Sequence, residues 1–437
     1  MAEGSLHPRK HAIDMSLNIW FLRVFGLMGL DSSCAWKHAL HGTYCAAVCA
    51  SHVVVVTANV AGMVRDWGDF DAVVSNVCLT VAVFSSLVKY LYFICKRRDI
   101  ALLLRMLWEF ETYQWPQCLQ LECSGIIAKT SRHVRAMTLA LSFFVFLIFL
   151  SWTASPFITA GFSAVGPARW RSHPFAAAFF FDYQSSPSYE AVYCFQSASL
   201  FSFCLGVSSF DTACVALLMQ VGAQLRVLLA SLGRLREAAE ESLARRGDHG
   251  GPRGETAAVP GLSLTDGSVD CPRDELRVHL LQYLRTCIKH HNDIIMFVKK
   301  LDDVFNPIML AQILYSVFEI AVSGLQATES SADFGNLIKF VVFASALSFE
   351  LYLFCRYADI VLHLSQEVAI AAYSCEWYHM DSQIKMMLQM MILRGQSAVK
   401  LTAFRFRVMS LDLYGTLLNG AYTYFALLKE IKKRNAV

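Results

Sequence analysis

The chain has 437 residues, of which 55% are hydrophobic and 17% are charged, whereas about 25% of residues are charged in average soluble domains. Its net charge is only +3 at pH 7, so nothing in the composition indicates a nucleic-acid partner. The apolar residues cluster in runs long enough to cross a bilayer, and the mean hydropathy is +0.42. These features exclude a soluble globular protein, and the length of the runs excludes a transmembrane β-barrel.

The apolar runs predict an all-α membrane protein with seven transmembrane helices. Ahead of them, residues 13–30 are apolar but contain Asp14 and Arg23, which favours a helix on the membrane surface over an additional span. The predicted spans are residues 39–64, 72–95, 136–163, 189–216, 307–326, 336–355 and 403–428.

Basic residues predict how the chain is oriented in the membrane. The segments after spans 2, 4 and 6 are rich in Lys and Arg, whereas the segments after spans 1, 3 and 5 contain few. Because basic loops remain in the cytoplasm, we expect a cytoplasmic amino terminus and an extracellular carboxyl terminus. A G-protein-coupled receptor has the opposite orientation, so we expect that no G protein is required.

The remaining segments complete the predicted domain organisation. Residues 1–38 form a cytoplasmic amino-terminal or surface helix, and residues 39–236 hold spans 1–4 with a cytoplasmic extension. The Gly-rich and charged composition of residues 237–273 is typical of a flexible cytoplasmic linker. Residues 274–402 hold spans 5 and 6 with cytoplasmic anchor helices, and residues 403–437 hold span 7 and an extracellular tail.

Two apolar stripes at helical spacing lie in the predicted cytoplasmic segments. They either pack on each other within one chain or form an oligomerisation bundle with other chains. We interpret His290 and His291, on the first of these helices, as ordinary surface histidines and not as metal ligands. The first stripe is Leu276, Leu280, Leu284, Ile288, Ile295, Val298 and Leu301, and the second is Trp377, Ile384, Met387, Leu388, Met391 and Ile392.

Span 7 carries a polar stripe on one helical face. Such a stripe either hydrogen-bonds to neighbouring helices or lines a water-filled pore. In a pore, Leu427 would form a hydrophobic constriction near the outer end, and Glu430 would form a ring that attracts cations. Since one helix cannot enclose a pore, several chains would surround a central axis. The candidate pore and gate residues are Asp412, Thr416, Asn419, Thr423, Leu427 and Glu430.

Several segments together resemble the insect odorant receptor family. Similar stretches are Asn18-Ile19-Trp20 through Gly26-Leu27, Lys89 with Lys96-Arg97-Arg98-Asp99-Ile100, Ser185 through Glu190, Ala371-Ala372-Tyr373 with Trp377-Tyr378, and Ser410 through Leu428. The last of these is the strongest, because it resembles the pore segment of that family. Gustatory receptors share Thr423-Tyr424 but usually carry Gln-Phe near the position of Lys429-Glu430.

The resemblance implies a tetrameric, odorant-gated nonselective cation channel in the plasma membrane of sensory neurons. It implies a volatile small-molecule odorant as ligand, and either co-receptor subunits in a heterotetramer or further copies of the chain in a homotetramer as partners. The short insert between spans 4 and 5 favours an odorant-tuned subunit over the co-receptor. A gustatory-type channel and a secondary transporter are the alternatives.

The same resemblance implies an odorant pocket in the outer half of spans 2–6, where we expect apolar and aromatic walls with a few polar groups. Trp152 is the strongest single candidate, because Pro156 one turn later can open the helix. Lys89 and Asp211 are expected to pair, while the role of Glu319 and Glu350 stays open. We expect no catalytic residues, enzyme activity, cofactor or metal. The candidate ligand-binding residues are Val81, Phe84, Phe149, Trp152, Thr153, Tyr193, Gln196, Ser197, Leu200 and Phe318.

Overall fold

The computed structural model describes residues 13–28, 35–162, 172–248, 272–329, 334–403 and 405–435. The described residues are almost entirely helical, as the sequence predicted. The helices are α1 Ser16–Val24, α2 Ala35–Arg65, α3 Phe70–Glu109, α4 Gln117–Phe162, α5 Ser188–Gly233, α6 Leu235–Asp248, α7 Pro272–Glu329, α8 Phe334–Ser374, α9 Ser382–Gly395 and α10 Leu411–Asn435. A single hairpin pairs strands β1 Thr402–Ala403 and β2 Arg407–Val408 in antiparallel register among these residues.

Six of the described helices, α2, α3, α4, α5, α7 and α8, are long and apolar enough to cross a membrane. The seventh predicted span is α10, whose polar stripe lowers its apolar content. Since α7 has 58 residues, it is about 87 Å long at 1.5 Å per residue, far longer than a bilayer core of about 30 Å. The spans therefore continue well beyond the membrane, as the predicted anchor helices require.

Helix α5 lies at the centre of the bundle. It packs against α1, α2, α3, α4, α7 and α8, and every residue from Ser208 to Leu228 is buried except Arg226. Two apolar clusters surround it. One contains Phe93, Phe210 and Phe305 and continues into the anchor helices, and the other contains Trp152 and Phe340 near the opposite end of the bundle.

The structure corrects two predicted boundaries. Residues 237–248 belong to helix α6, so the first part of the predicted linker is helical, and residues 249–271 lie outside the described residues. Span 7 was predicted to begin at residue 403, but α10 begins only at Leu411. The preceding hairpin is held on α7 by two side chains. Asp302 accepts hydrogen bonds from the N–H and the hydroxyl of Thr402, and Asn306 donates one to the carbonyl oxygen of Thr402.

The two cytoplasmic stripes pack within one chain, which was one of the two alternatives. Leu284 on α7 and Ile384, Leu388 and Met391 on α9 are fully buried in the larger apolar cluster. Helix α9 ends at Gly395, as predicted, and an added Cβ there would lie 3.0 Å from Ala369 on α8. A second apolar face of α9, formed by Met386, Met390 and Leu393, stays exposed.

Candidate functional site: the α10 face and an outer cavity

Helix α10 separates its polar and apolar faces as the sequence predicted. Its apolar face packs against α7 and α8, with Leu413 and Ala421 buried. Tyr414 adds a 3.0 Å hydrogen bond to Ser348 on α8. All six predicted pore residues lie on the exposed side of the helix, namely Asp412, Thr416, Asn419, Thr423, Leu427 and Glu430.

The polar groups of this exposed face interact within their own helix. Thr416 donates to the carbonyl oxygen of Asp412, and Thr423 donates to that of Asn419. The Glu430 carboxylate lies 3.2 Å from Nε of Arg434, one turn further along. Because the Thr hydroxyls keep their lone pairs free, the face can still accept hydrogen bonds from water.

The outer end of α10 is tied to α7. Lys432 lies 2.9 Å from Glu329 at the end of α7, which places the carboxyl end of α10 beside the α7–α8 connection. The carboxyl end of α10 and the α7–α8 connection were both predicted to be extracellular. Leu427, five residues before Lys432, is 55% exposed and contributes an apolar side chain to an otherwise polar face.

Trp152 lies against a cavity of about 270 Å³ at the outer ends of α3, α4 and α8. The side chain is only 2% exposed, and its ring packs edge-on against Phe340 and Phe343. The Lys339 ammonium lies 4.7 Å from the ring centroid. The cavity is lined by Ser75, Asn76, Leu79, Trp152, Ser155, Pro156, Ser172, His173, Pro174, Phe175, Ala176, Asn336 and Lys339.

Besides the ring nitrogens of His173, two buried N–H donors of this outer cavity have no hydrogen-bond partner in the described part of the chain. They are Nε1 of Trp152 and Nδ2 of Asn76. An unpaired buried donor is costly, roughly 1–3 kcal/mol, so both are positioned to bind a guest that carries an acceptor oxygen. Pro156 lies inside α4 and also lines the cavity, as the sequence argument expected.

A segment between α4 and α5 covers the cavity. Gln196 on α5 donates from Nε2 to the carbonyl oxygen of Phe175 and accepts from its N–H, at 3.3 and 3.5 Å. Ala178 donates to the carbonyl oxygen of Ala58 on α2. Gln196, a predicted ligand contact, therefore positions Phe175, and Phe175 lines the cavity in its place.

The other predicted ligand residues do not gather around Trp152. Tyr193 donates to the carbonyl oxygen of Thr153 and joins α5 to α4, and Leu200 lines a separate cavity of about 10 Å³. Phe84 and Phe318 are exposed, whereas Val81, Phe149 and Ser197 are partly buried. Asn76, Phe175 and Lys339 were not predicted from the sequence. They come from α3, the segment between α4 and α5, and α8, and no local sequence pattern indicates that they line one cavity.

Lys89 and Asp211 form the predicted ion pair, with 3.0 Å between Nζ and Oδ1. The Glu350 carboxylate lies 3.7 Å from the Lys89 ammonium and accepts a hydrogen bond from Gln312 at 2.5 Å. The four side chains come from α3, α5, α8 and α7, so the network connects four spans. Glu319 lies apart and accepts from the Cys78 thiol at 2.8 Å.

His290 and His291 are buried, and the prediction of surface histidines was wrong. His290 lies among the rings of Phe110, Tyr113 and Trp115, and its Nε2 is 3.1 Å from Oε1 of Gln224. Burial lowers the pKa of His290 to about 3. Burial and the nearby Arg394 lower the pKa of His291 to about 4. In the described ranges, no group of three or more His, Cys, Asp or Glu residues could hold a metal ion.

The bundle of long apolar helices, the exposed polar face of α10 and the outer cavity define a multi-pass helical membrane protein. The sequence model of the family described as 7tm Odorant receptor matches residues 69–422, which is well over half of the chain. The chain therefore belongs to the odorant receptor family.

Individual relatives agree with this assignment. Odorant receptor 13a of Drosophila melanogaster is 32% identical over 163 residues, which cover 35% of this chain and 39% of that protein. The odorant receptor coreceptor of Anopheles gambiae is 28% identical over 148 residues, which cover 33% of this chain and 30% of the coreceptor. The aligned region thus spans less than half of each relative.

The fold matches a solved structure across nearly the whole chain. The olfactory receptor OR5 of Machilis hrabei, solved in complex with eugenol, superposes with a TM-score of 0.73 and 16% identity. The superposition covers 95% of this chain and 97% of that one. At this identity the likeness concerns the fold alone.

Proposed function

We propose that the chain is a subunit of an odorant-gated nonselective cation channel whose pore is lined by α10. The observation that carries this proposal is the exposed polar face of α10 on a helix whose apolar face is already packed. A polar face inside a membrane is costly unless it meets protein or water. No described element of the same chain covers this face, so further subunits are needed to enclose it.

The subunits suited to enclose the polar face of α10 are chains with the same fold. Four subunits around one axis would bring four copies of the α10 face together, either as a homotetramer or with co-receptor subunits. The sequence similarity to odorant receptor coreceptors supports a partner of that kind. The Leu427 side chains would then form an apolar ring that closes the pore by excluding water.

The ligand of this channel is a volatile small molecule that binds in the outer cavity. The cavity has an aromatic wall at Trp152 and Phe175 and unpaired donors at Trp152 and Asn76. Small-molecule sites combine apolar walls with placed polar groups, and this lining pairs aromatic and aliphatic side chains with about as many polar ones, Lys339 among them. We assign the chain to the odorant-tuned subunits, located in the plasma membrane of sensory neurons.

The test is expression of the chain alone and together with a co-receptor, followed by current recording during exposure to an odorant panel. An odorant-evoked cation current that requires no gradient of the odorant itself supports the proposal. A current that reverses with the odorant gradient, or uptake of the odorant without an ionic conductance, would instead indicate a secondary transporter. The loss of current in a pore variant such as Asn419→Lys, with normal surface expression, would assign the conductance to α10.

A further inference from the structure

A second, larger cavity lies on the opposite side of the bundle from the outer cavity. It has a volume of about 980 Å³ and is lined by α4, α5 and α8. Its position relative to the spans is given by the sequence: Lys129 and Arg132 directly precede predicted span 3, and Arg356 directly follows predicted span 6. The cavity therefore lies at the membrane boundary that the basic loops assign to the cytoplasm.

The lining of this inner cavity is strongly basic. Lys129 and Arg132 come from α4, Arg226 from α5 and Arg356 from α8, and no Asp or Glu of the described residues lines the cavity. Within the described ranges, none of the four side chains forms an ion pair. Asp359, the nearest carboxylate along α8, accepts from the Leu411 N–H and contacts His363 instead.

Arg226 is the most informative member of this set. It is the only exposed residue between Ser208 and Leu228 of the otherwise buried helix α5. Its side chain is exposed in the cavity and forms no ion pair among the described residues, so it is available to an anionic partner. Since four basic side chains line one cavity and like charges repel one another, the cavity is complementary to a multiply charged anion.

The wall of the inner cavity opposite the basic residues is apolar. On the membrane side of the basic residues, α4 contributes Ala136 and Met137, α5 contributes Leu218, and α8 contributes Phe349 and Leu353. His133 and Tyr357 join α4 to α8 through a 3.0 Å contact between Nε2 and the hydroxyl. One cavity thus offers apolar surface at membrane depth and four cations just beyond it.

We propose that the inner cavity binds an anionic phospholipid of the cytoplasmic leaflet whose headgroup carries more than one phosphate. Arginine side chains bind phosphate oxygens in a bidentate manner, and basic pockets between spans on the cytoplasmic side are suited to such headgroups. The acyl chains lie along the apolar wall. The bound lipid bridges α4, α5 and α8 independently of the odorant and of the pore, and the proposal rests on the predicted orientation of the chain.

The experiment measures lipid binding to the purified full-length chain in detergent by the shift in its melting temperature. The probes are short-chain phosphatidylinositol bisphosphate, phosphatidylserine, phosphatidylcholine and soluble inositol trisphosphate. We expect the bisphosphate lipid to bind most tightly. The double variant Arg226→Gln/Arg356→Gln should weaken it by roughly tenfold or more. The matched control is Arg97→Gln/Arg98→Gln, which removes two exposed charges after span 2 and should bind as the wild type does.

Three results would overturn the proposal. One is that the wild type and the Arg226→Gln/Arg356→Gln variant bind the bisphosphate lipid with equal affinity. Another is that the wild type binds phosphatidylcholine as tightly as it binds the bisphosphate lipid. The third is binding of inositol trisphosphate as tight as that of the lipid, which would make the cavity a site for a soluble polyanion. If the double variant does not fold, a photoreactive bisphosphate lipid is applied to the wild type. Labelling of residues 126–137, 218–226 or 349–360 supports the site, and labelling confined to other segments refutes it.

Discussion

Trp152 is the predicted ligand contact that also lines the outer cavity. It was selected because a tryptophan one turn before a proline can border an opening in the helix, and the structure places it against the outer cavity. The rest of the predicted pocket is distributed differently, because the cavity depends on a loop and on α8. The hydrogen bonds of Gln196 hold Phe175 at the cavity, and no local sequence pattern encodes them.

Replacement of Trp152 should alter ligand recognition without altering the pore. Trp152→Ala removes the aromatic wall and the unpaired indole donor, so we expect the odorant dose–response curve to shift to at least tenfold higher concentrations, about 1.4 kcal/mol. Trp152→Phe keeps the wall and should shift it less. The measurement is odorant-evoked current, normalised to surface expression. Phe146→Ala, an exposed aromatic on the same helix, is the control, and equal shifts in both variants would contradict the site.

His290 illustrates a residue whose environment the sequence concealed. Its three aromatic neighbours are about 175 positions away along the chain, between α3 and α4. Because its pKa is lowered to about 3 in the folded chain, the neutral form is favoured in the folded state. The neutral His290 side chain contributes its full stabilisation above the unfolded-state pKa of about 6.5. This stabilisation is lost as the pH falls from about 6.5 toward about 3.

The melting temperature of the purified chain should therefore fall between pH 6.5 and pH 4. One such histidine contributes up to about 1.4 kcal/mol per pH unit in this window. His290→Gln keeps a polar group near Gln224 and cannot be protonated, so we expect a shallower dependence on pH. His363→Gln, at a position whose side chain is 64% exposed, should keep the wild-type slope. An unchanged slope in His290→Gln would show that other groups cause the acid sensitivity.

Helix α10 was the element best predicted from the sequence, because a stripe with spacings of three and four defines a face before any packing is known. Its start was predicted eight residues too early. Residues 403–410 are apolar enough to extend the span, but Thr402 is held on α7 by Asp302 and Asn306, and Arg405 adopts a φ of 60° that a helix does not allow.

A polar substitution at Leu427 should open the pore without ligand. In the proposed channel, Leu427→Ser or Leu427→Gln would remove the apolar ring that excludes water, so we expect a basal current in the absence of odorant. Leu428→Ser makes the same change one residue further on, at a half-buried position on the packed side, and should leave the channel closed. Wild-type basal current in the Leu427 variants, at normal surface expression, would place the constriction elsewhere, with Thr423 as the next candidate.

The charge beside this ring should set the conductance. Glu430 attracts cations, but its pairing with Arg434 at 3.2 Å offsets part of its field. Glu430→Gln should lower the single-channel cation conductance, and Arg434→Gln should raise it. Both effects should be largest at low ionic strength, where screening is weak. Conductance that is independent of both residues at low salt would remove Glu430 from the ion pathway.

For the whole molecule, the sequence predicted the seven-span class from hydrophobic runs and the long helix extensions from apolar stripes at helical spacing. It left open whether the cytoplasmic stripes join different chains. The structure buries Leu284, Ile384 and Leu388 within one chain, so charges at these positions would unfold the anchor and could not test assembly. An apolar face that stays exposed, and that we propose for contacts between chains, is formed by Met386, Met390 and Leu393, at spacings of four and three on α9.

Charge substitutions on this exposed face of α9 should disperse the oligomer while each chain stays folded. Met390 is 60% exposed, so Met386→Glu/Met390→Glu costs little in the isolated chain but places carboxylates in an apolar contact between subunits. We expect native gels or size-exclusion chromatography to show monomers whose melting temperature is close to that of the wild type. Leu121→Glu introduces the same charge at an exposed position at the start of α4, 84% exposed, and should leave the oligomer intact. An oligomer that survives the α9 substitutions would mean that the chains are held together by contacts other than this face of α9.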